Sequence, residues 1–167
     1  MATAILTRFL FTFLLFQLWK YQQQHRATLE NESVYGLKRW QVGEIASKIG
    51  QLYYHYYLRT SETAYLQESY VFYEAIRSRN YFKDVSFLSN PALFVKELRY
   101  LARFLLVCIL SSRRALARKL IQELDARVFD YRNKFADASD IAEWTTVLAE
   151  FGAFINVRIP WPSLYLY

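Results

Sequence analysis

At 167 residues and 20.0 kDa the chain has the length of about one domain. That length removes roughly 68–70% of the unfolded surface from water on folding. Hydrophobic residues make up 54% against 22% charged, which excludes a disordered charged tail, and four glycines with three prolines are too few for a turn-rich sandwich or a low-complexity chain. One cysteine (Cys108) and two histidines (His25, His55) exclude a disulfide scaffold and a cysteine-based zinc cluster.

The net charge of +6 is unevenly placed. Lys38, Arg39, Lys48 and Arg59 face only Glu44 in residues 37–59. In residues 111–136 the cations Arg113, Arg114, Arg118, Lys119, Arg127, Arg132 and Lys134 outnumber Glu123, Asp125 and Asp130. Beyond them Asp137, Asp140, Glu143 and Glu150 leave the end acidic against Arg158 alone. A basic stretch before an acidic one is either a solvated face or a field that steers an acidic partner.

In chain order, Met1–Phe16 is an atypical apolar segment, with Arg8 ahead of the run Phe9–Phe16. It has the outline of a signal peptide without a small-x-small cleavage site, and it is shorter than the ~20 residues of a spanning helix. It reads as a core-packed or unpaired helix start, a membrane-directing segment or an artefactual first exon. A first helix is predicted from about Ala4 to Leu29, with Gln22, Gln23, Gln24 and Arg26 on its polar side and Asn31, Ser33 and Gly36 turning the chain. The next runs over about Leu37–Arg59, with Trp40, Ile45, Ile49, Leu52, Tyr53, Tyr56 and Tyr57 at three- and four-residue steps. Gly43, Ala46 and Gly50 share one of its faces. Each glycine costs about 1 kcal/mol against alanine in a helix, so close approach by a neighbouring helix is expected as compensation.

Thr60 or Ser61 is the expected N-cap of the third helix, with Glu62 in its first turn and Tyr65, Leu66, Ser69, Tyr70, Tyr73 and Ile76 inward. It ends near Arg79-Asn80, and a loop over residues 81–90 leads to Pro91 at the start of a fourth helix. That helix, Pro91–Leu110, carries Leu98, Leu101, Ala102, Leu105, Leu106 and Ile109 inward until Ser111-Ser112 breaks it. A fifth helix places Leu116, Leu120, Leu124 and Val128 on one face with its cations outward. Asp140 with Glu143 forms a capping-box-like pair for a sixth, continued by Trp144, Val147, Leu148, Phe151 and Ile155. The stretch Val157–Tyr167, with Pro160 and Pro162, breaks the periodicity. No linker is long enough to divide the chain, and the fold class read from these patterns is all-α: antiparallel helical hairpins in a bundle or short array. Ile49-Gly50-x2-Tyr53 followed by Ser69-x3-Tyr73-x2-Ile76 resembles a tetratricopeptide hairpin, without a second clear copy.

No catalytic constellation accompanies this scaffold. His25 and His55 lie 30 residues apart without a carboxylate or cysteine at ligand spacing, and Cys108 between Val107 and Ile109 has no activating neighbour. Neither a catalytic residue, a metal ligand nor a cofactor is assigned. Two surfaces stand as candidates for binding a protein partner. Tyr53, Tyr54, Tyr56 and Tyr57 cover most of a helix circumference, so either several helices surround them or some, with Tyr54 and Tyr57 foremost, form a recognition face. Arg113, Arg114, Arg118 and Lys119 gather at one helix start, suited to an acidic protein; nucleic acid is a rival without a groove-reading motif.

The strings Trp19-Lys20-Tyr21-Gln22-Gln23-Gln24-His25-Arg26, Tyr35–Tyr54 (YGLKRWQVGEIASKIGQLYY), Leu58–Thr63 (LRTSET), Phe72–Ile76 (FYEAI) and Leu98–Phe104 (LRYLARF) resemble the protein SCAI family, the suppressors of cancer cell invasion. The resemblance covers residues 17–156, an N-terminal portion of a protein several hundred residues long, with residues 1–16 and 157–167 outside it, as in a shortened gene product. It implies a nuclear transcriptional cofactor with a cytoplasmic fraction. Animal members bind a myocardin-related transcription factor, repress serum-response-factor targets and limit cell invasion, with a further role in double-strand-break repair. The family brings no catalytic residues. The expected function is therefore a non-enzymatic module that binds a transcription regulator; a membrane-associated protein held by residues 1–16, or a nucleic-acid-binding helical domain, is the alternative.

Overall fold

The computed structural model describes residues 13–14, 16–31, 33–83 and 90–156. All regular structure among them is helical, so the chain is all-α. Residues 13–14 and 16–24 belong to α1; α2 (Arg26–Leu29), α3 (Arg39–Thr60), α4 (Thr63–Ser78), α5 (Pro91–Leu110), α6 (Arg114–Lys134) and α7 (Ile141–Asn156) follow. The chain forms two compact units, residues 1–87 and 88–167.

In the first unit the predicted single helix over residues 4–29 is interrupted at His25, whose non-helical backbone separates α1 from the four-residue α2. Its part before residue 13 lies outside the described residues. The Asn31–Gly36 turn forms as its residues demand. The Asn31 carboxamide oxygen accepts from the Ser33 N–H and O–H, its carbonyl accepts from the Tyr35 and Gly36 N–H groups, and Gly36 takes φ 58°. The Gln41 side chain then reaches back 2.8 Å to the Lys38 N–H at the start of α3.

Helices α3 and α4 form a tight antiparallel hairpin. Ser61, in the left-handed region at φ 57°, closes α3, and its N–H returns to the Tyr57 carbonyl. The N-cap of α4 is consequently Glu62, not Thr60 or Ser61: Thr60 is the last residue of α3, its hydroxyl donating to the Tyr56 carbonyl at 2.9 Å and accepting from the Glu62 N–H at 3.2 Å, and Ser61 closes that helix. The buried line of α4 is Leu66, Ser69, Phe72, Tyr73 and Ile76; Phe72 joins it, and Tyr65 and Tyr70 are half-buried.

Both glycines predicted to need a close neighbour have one. A methyl group at Gly50 would lie 3.1 Å from the Tyr73 ring, and one at Gly43 would lie 2.8 Å from the Tyr81 Cβ and 3.1 Å from the Phe82 ring. At Gly50 the neighbour is a helix, as expected; at Gly43 it is the turn after α4. The buried Ser69 hydroxyl donates to the Gly50 carbonyl at 2.8 Å, so the two halves of the tetratricopeptide-like pattern meet. Trp19 of α1 sits edge-on to Phe72 (5.8 Å) and Tyr81 (6.1 Å). Gln22, read as polar surface, is buried beside it.

In the second unit Asn90 caps α5 by accepting from the Ala92 N–H, with Pro91 at the first helical position. Leu98, Leu101, Leu105 and Ile109 are buried as predicted, joined by Leu93, Phe94, Tyr100, Phe104, Val107 and Cys108, while Ala102 and Leu106 are half-buried. Ser112 at φ 55° turns the chain, and the Arg113 N–H closes onto the Cys108 carbonyl at 2.8 Å. Helix α6 returns antiparallel, bringing Tyr131 and Phe135 onto Phe94 at ring distances of 5.6 and 5.9 Å. Its buried face is Ala117, Leu120, Leu124, Val128 and Tyr131. Helix α7 packs on α6 through Trp144, which is buried.

Candidate protein-interaction surface

The four cations singled out from the sequence cluster at the beginning of α6. Arg113 is the N-cap residue and Arg114 the first helical one, and α6 has no acidic side chain in its first turn. A helix N-terminus carries roughly half a positive charge, so cations in its first turn, here Arg113 and Arg114, are unfavourable by about 0.3–1 kcal/mol each at an exposed site. Arg114, Arg118 and Lys119 are exposed, whereas Arg113 is half-buried with its Nε shielded from solvent. Neither Arg118 nor Lys119 makes an ion pair among the described residues. The arrangement is an electropositive corner that a negatively charged group relieves.

Tyr54 and Tyr57 lie three residues apart on α3, both half-buried. Burial raises the Tyr54 phenol above its usual value, with a smaller contribution from Tyr57. Their neighbours Tyr53 and Tyr56 are likewise half-buried and turn to Tyr65, at ring distances of 6.4 and 5.5 Å. Tyr53 also stacks on Phe72 at 5.9 Å, so part of the tyrosine density builds the hairpin itself. Leu58, the next residue, is 58% exposed. His55 is exposed, and Cys108 is fully buried. The tyrosine pair belongs to the first unit and the cations to the second. An open groove of about 450 Å³ along α1 is lined by Gln17, Leu18, Lys20, Tyr21 and Gln24 and includes neither candidate.

Three polar arrangements escape a reading of the sequence. Arg39 and Arg79 lie over the Tyr81 and Trp19 rings, and the Arg39 guanidinium donates to the Arg79 carbonyl. Asp140 stands at the position immediately before α7, where its cap was expected, and its carbonyl accepts the Trp144 N–H at 3.1 Å; its carboxylate accepts from the Tyr131 hydroxyl at 2.8 Å and from the Trp144 indole N–H at 3.2 Å. Burial, and then the Asp140 bond, push the Tyr131 phenol up to about 12. Buried Glu97 of α5 pairs with Arg127 of α6. The only local signal for any of these is spacing: Arg127 and Asp130, and Asp140 and Trp144, are three and four apart.

Among the described residues no group of histidine, cysteine or acidic side chains is placed to hold a metal ion, and no helix is long and apolar enough to cross a membrane. The membrane-anchor alternative, which rests on residues 1–16, thus gains no support from the described helices.

No solved structure matches the chain. Over 140 residues, 84% of its length, it is 58% identical to a Protein SCAI homolog of Dictyostelium discoideum and 55% identical to Protein SCAI of Mus musculus and of Homo sapiens. Those stretches cover 18% of the first relative and 23% of the others, so the chain spans about a fifth of their length. The family model described as Protein SCAI matches residues 6–160, a wider stretch than the residues 17–156 that carry the distinctive strings. On that match and those identities, the chain belongs to the SCAI family.

Proposed function

We propose that this chain is a non-enzymatic helical module that binds a transcription regulator in the nucleus and withholds it from its target complex. The observation carrying the proposal is the electropositive corner at the start of α6. Arg114, Arg118 and Lys119 are exposed there on a helix whose first turn holds no carboxylate. Cations at that pole oppose the helix dipole, and an acidic segment docked there offsets that cost with charge-assisted hydrogen bonds. The family resemblance supplies the biological setting, and the half-buried Tyr54 and Tyr57, whose rings bring large contact area at low entropic cost, are a second contact region.

The test compares the wild-type chain with the triple variant Arg114→Glu, Arg118→Glu, Lys119→Glu. Arg113 is left intact because it is half-buried. Transcription regulators captured from nuclear extract are quantified for both, and the same proteins are applied to immobilised DNA and to anionic vesicles. Loss of a regulator by the variant supports the proposal. An identical set of captured regulators overturns it, as does retention on DNA or vesicles with no regulator bound at all.

A further inference from the structure

The α5–α6 hairpin buries one acid on a mainly hydrophobic face of α5. Glu97 is 5% exposed, and the α5 positions three and four residues away are Leu93, Phe94, Tyr100 and Leu101. Its Oε1 lies 3.2 Å from the Arg127 Nε of α6, while its Oε2 is shut off from solvent with no hydrogen-bond partner. Arg127 is divided: its Nη1 also reaches the Asp130 Oδ2, 3.5 Å away and one turn along α6. The guanidinium is therefore forked between a buried carboxylate on one helix and an exposed one on its own. One cation serves two anions, and the anion with the smaller supply of solvent is the one with an empty oxygen.

We infer that Glu97, Arg127 and Asp130 form a proton-operated clasp between α5 and α6, in which Glu97 takes up one proton from solvent at its unpartnered oxygen and hands Arg127 over to Asp130. With Glu97 charged, Arg127 ties the two helices together. With Glu97 neutral, the carboxylic acid stays buried on that face at little cost, and the guanidinium pairs along its own helix. No covalent bond changes in either direction. The charges acting on Glu97 are those two α6 groups: Arg127 favours the charged form and Asp130 opposes it. Burial outweighs both and raises the carboxyl from 4.5 to about 7, so the exchange falls near neutral pH.

The sign follows from linkage. The folded chain holds this proton between about pH 4.5 and 7 and the unfolded chain does not, so stability rises as pH falls through 7 toward 4.5. The experiment is a pH titration of the glutamate side-chain carboxyl signals of the full-length, ¹³C-labelled chain by NMR. The Glu97 signal is assigned from its loss in Glu97→Gln. A midpoint near 7 is expected. Asp130→Asn, which removes the competing anion, shifts that midpoint down. Arg127→Gln, which removes the cation, shifts it up. A Glu97 midpoint in the ordinary range overturns the inference, and so does a midpoint that both α6 variants leave unmoved. Should Glu97→Gln fail to fold, the opposite shifts in the other two variants identify the signal and decide the matter.

Discussion

Three glycine-to-alanine substitutions separate helix propensity from packing. In a helix interior each gains about 1 kcal/mol from propensity alone. At Gly152 of α7 an added methyl meets nothing within 4 Å, so the gain stands nearly undiminished. At Gly50 the methyl comes within 3.1–3.3 Å of three Tyr73 ring atoms. A tilt of that ring absorbs a contact slightly short of the usual 3.5–4.0 Å, and the net change is close to zero. At Gly43 the nearest atom is the Tyr81 Cβ, at 2.8 Å, with the Phe82 ring at 3.1 Å behind it. A Cβ is fixed to its backbone, so relief requires the turn after α4 to withdraw by about 0.7 Å. Overpacking of this kind costs about 1–3 kcal/mol, which leaves Gly43→Ala destabilised by up to ~2 kcal/mol after the propensity gain. With about 2–4 °C per kcal/mol for a chain of this size, Gly152→Ala raises Tm by ~2–4 °C, Gly50→Ala leaves it nearly unchanged and Gly43→Ala lowers it by up to ~8 °C. Thermal unfolding followed by circular dichroism gives the order directly. A Gly43→Ala chain as stabilised as Gly152→Ala refutes the close approach of the Tyr81 turn to α3.

Asp140→Ala orphans the Tyr131 hydroxyl and the Trp144 indole N–H, both on buried side chains, and is expected to cost about 1–3 kcal/mol per donor in chemical denaturation. The phenolate absorbance of Tyr131 is expected to develop only near pH 12; because the folded phenol lies above the usual value of 10, its contribution to stability is present below pH 10 and lost as pH rises through 12. In Asp140→Asn that absorbance develops at lower pH, since the neutral amide no longer opposes the phenolate. Ser69→Ala removes the hydroxyl bond to the Gly50 carbonyl and is expected to lower the unfolding free energy by about 0.5–1.5 kcal/mol, with the helical content unchanged.

The helices were readable wherever one local rule dominates. Asn90-Pro91 at the start of α5 and Ser111-Ser112 at its end set those boundaries by backbone geometry and capping alone. The glycine face of α3 was readable for the same reason, since two costly residues on one stripe require a neighbour at close range. The N-cap of α4 was not, because Thr60 and Ser61 are the better capping residues, yet the left-handed backbone of Ser61 closes α3 there and leaves the position to Glu62, whose side chain makes no capping bond.

For the candidate surface, the sequence by itself determined that cations gather where α6 begins and that α3 carries rings around its circumference. Only the tertiary structure decided that Arg113 is half-buried while Arg114, Arg118 and Lys119 face solvent, and that Tyr53 and Tyr56 turn to Tyr65. Helical periodicity says which side chains share a face but not what lies opposite it. Glu97 shows the limit plainly. Thirty residues separate it from Arg127, and nothing in either neighbourhood announces the pair. Their meeting is set by the register of two antiparallel helices, which is fixed by the summed packing of Phe94, Leu98, Leu120, Leu124 and Tyr131 rather than by any residue near the pair.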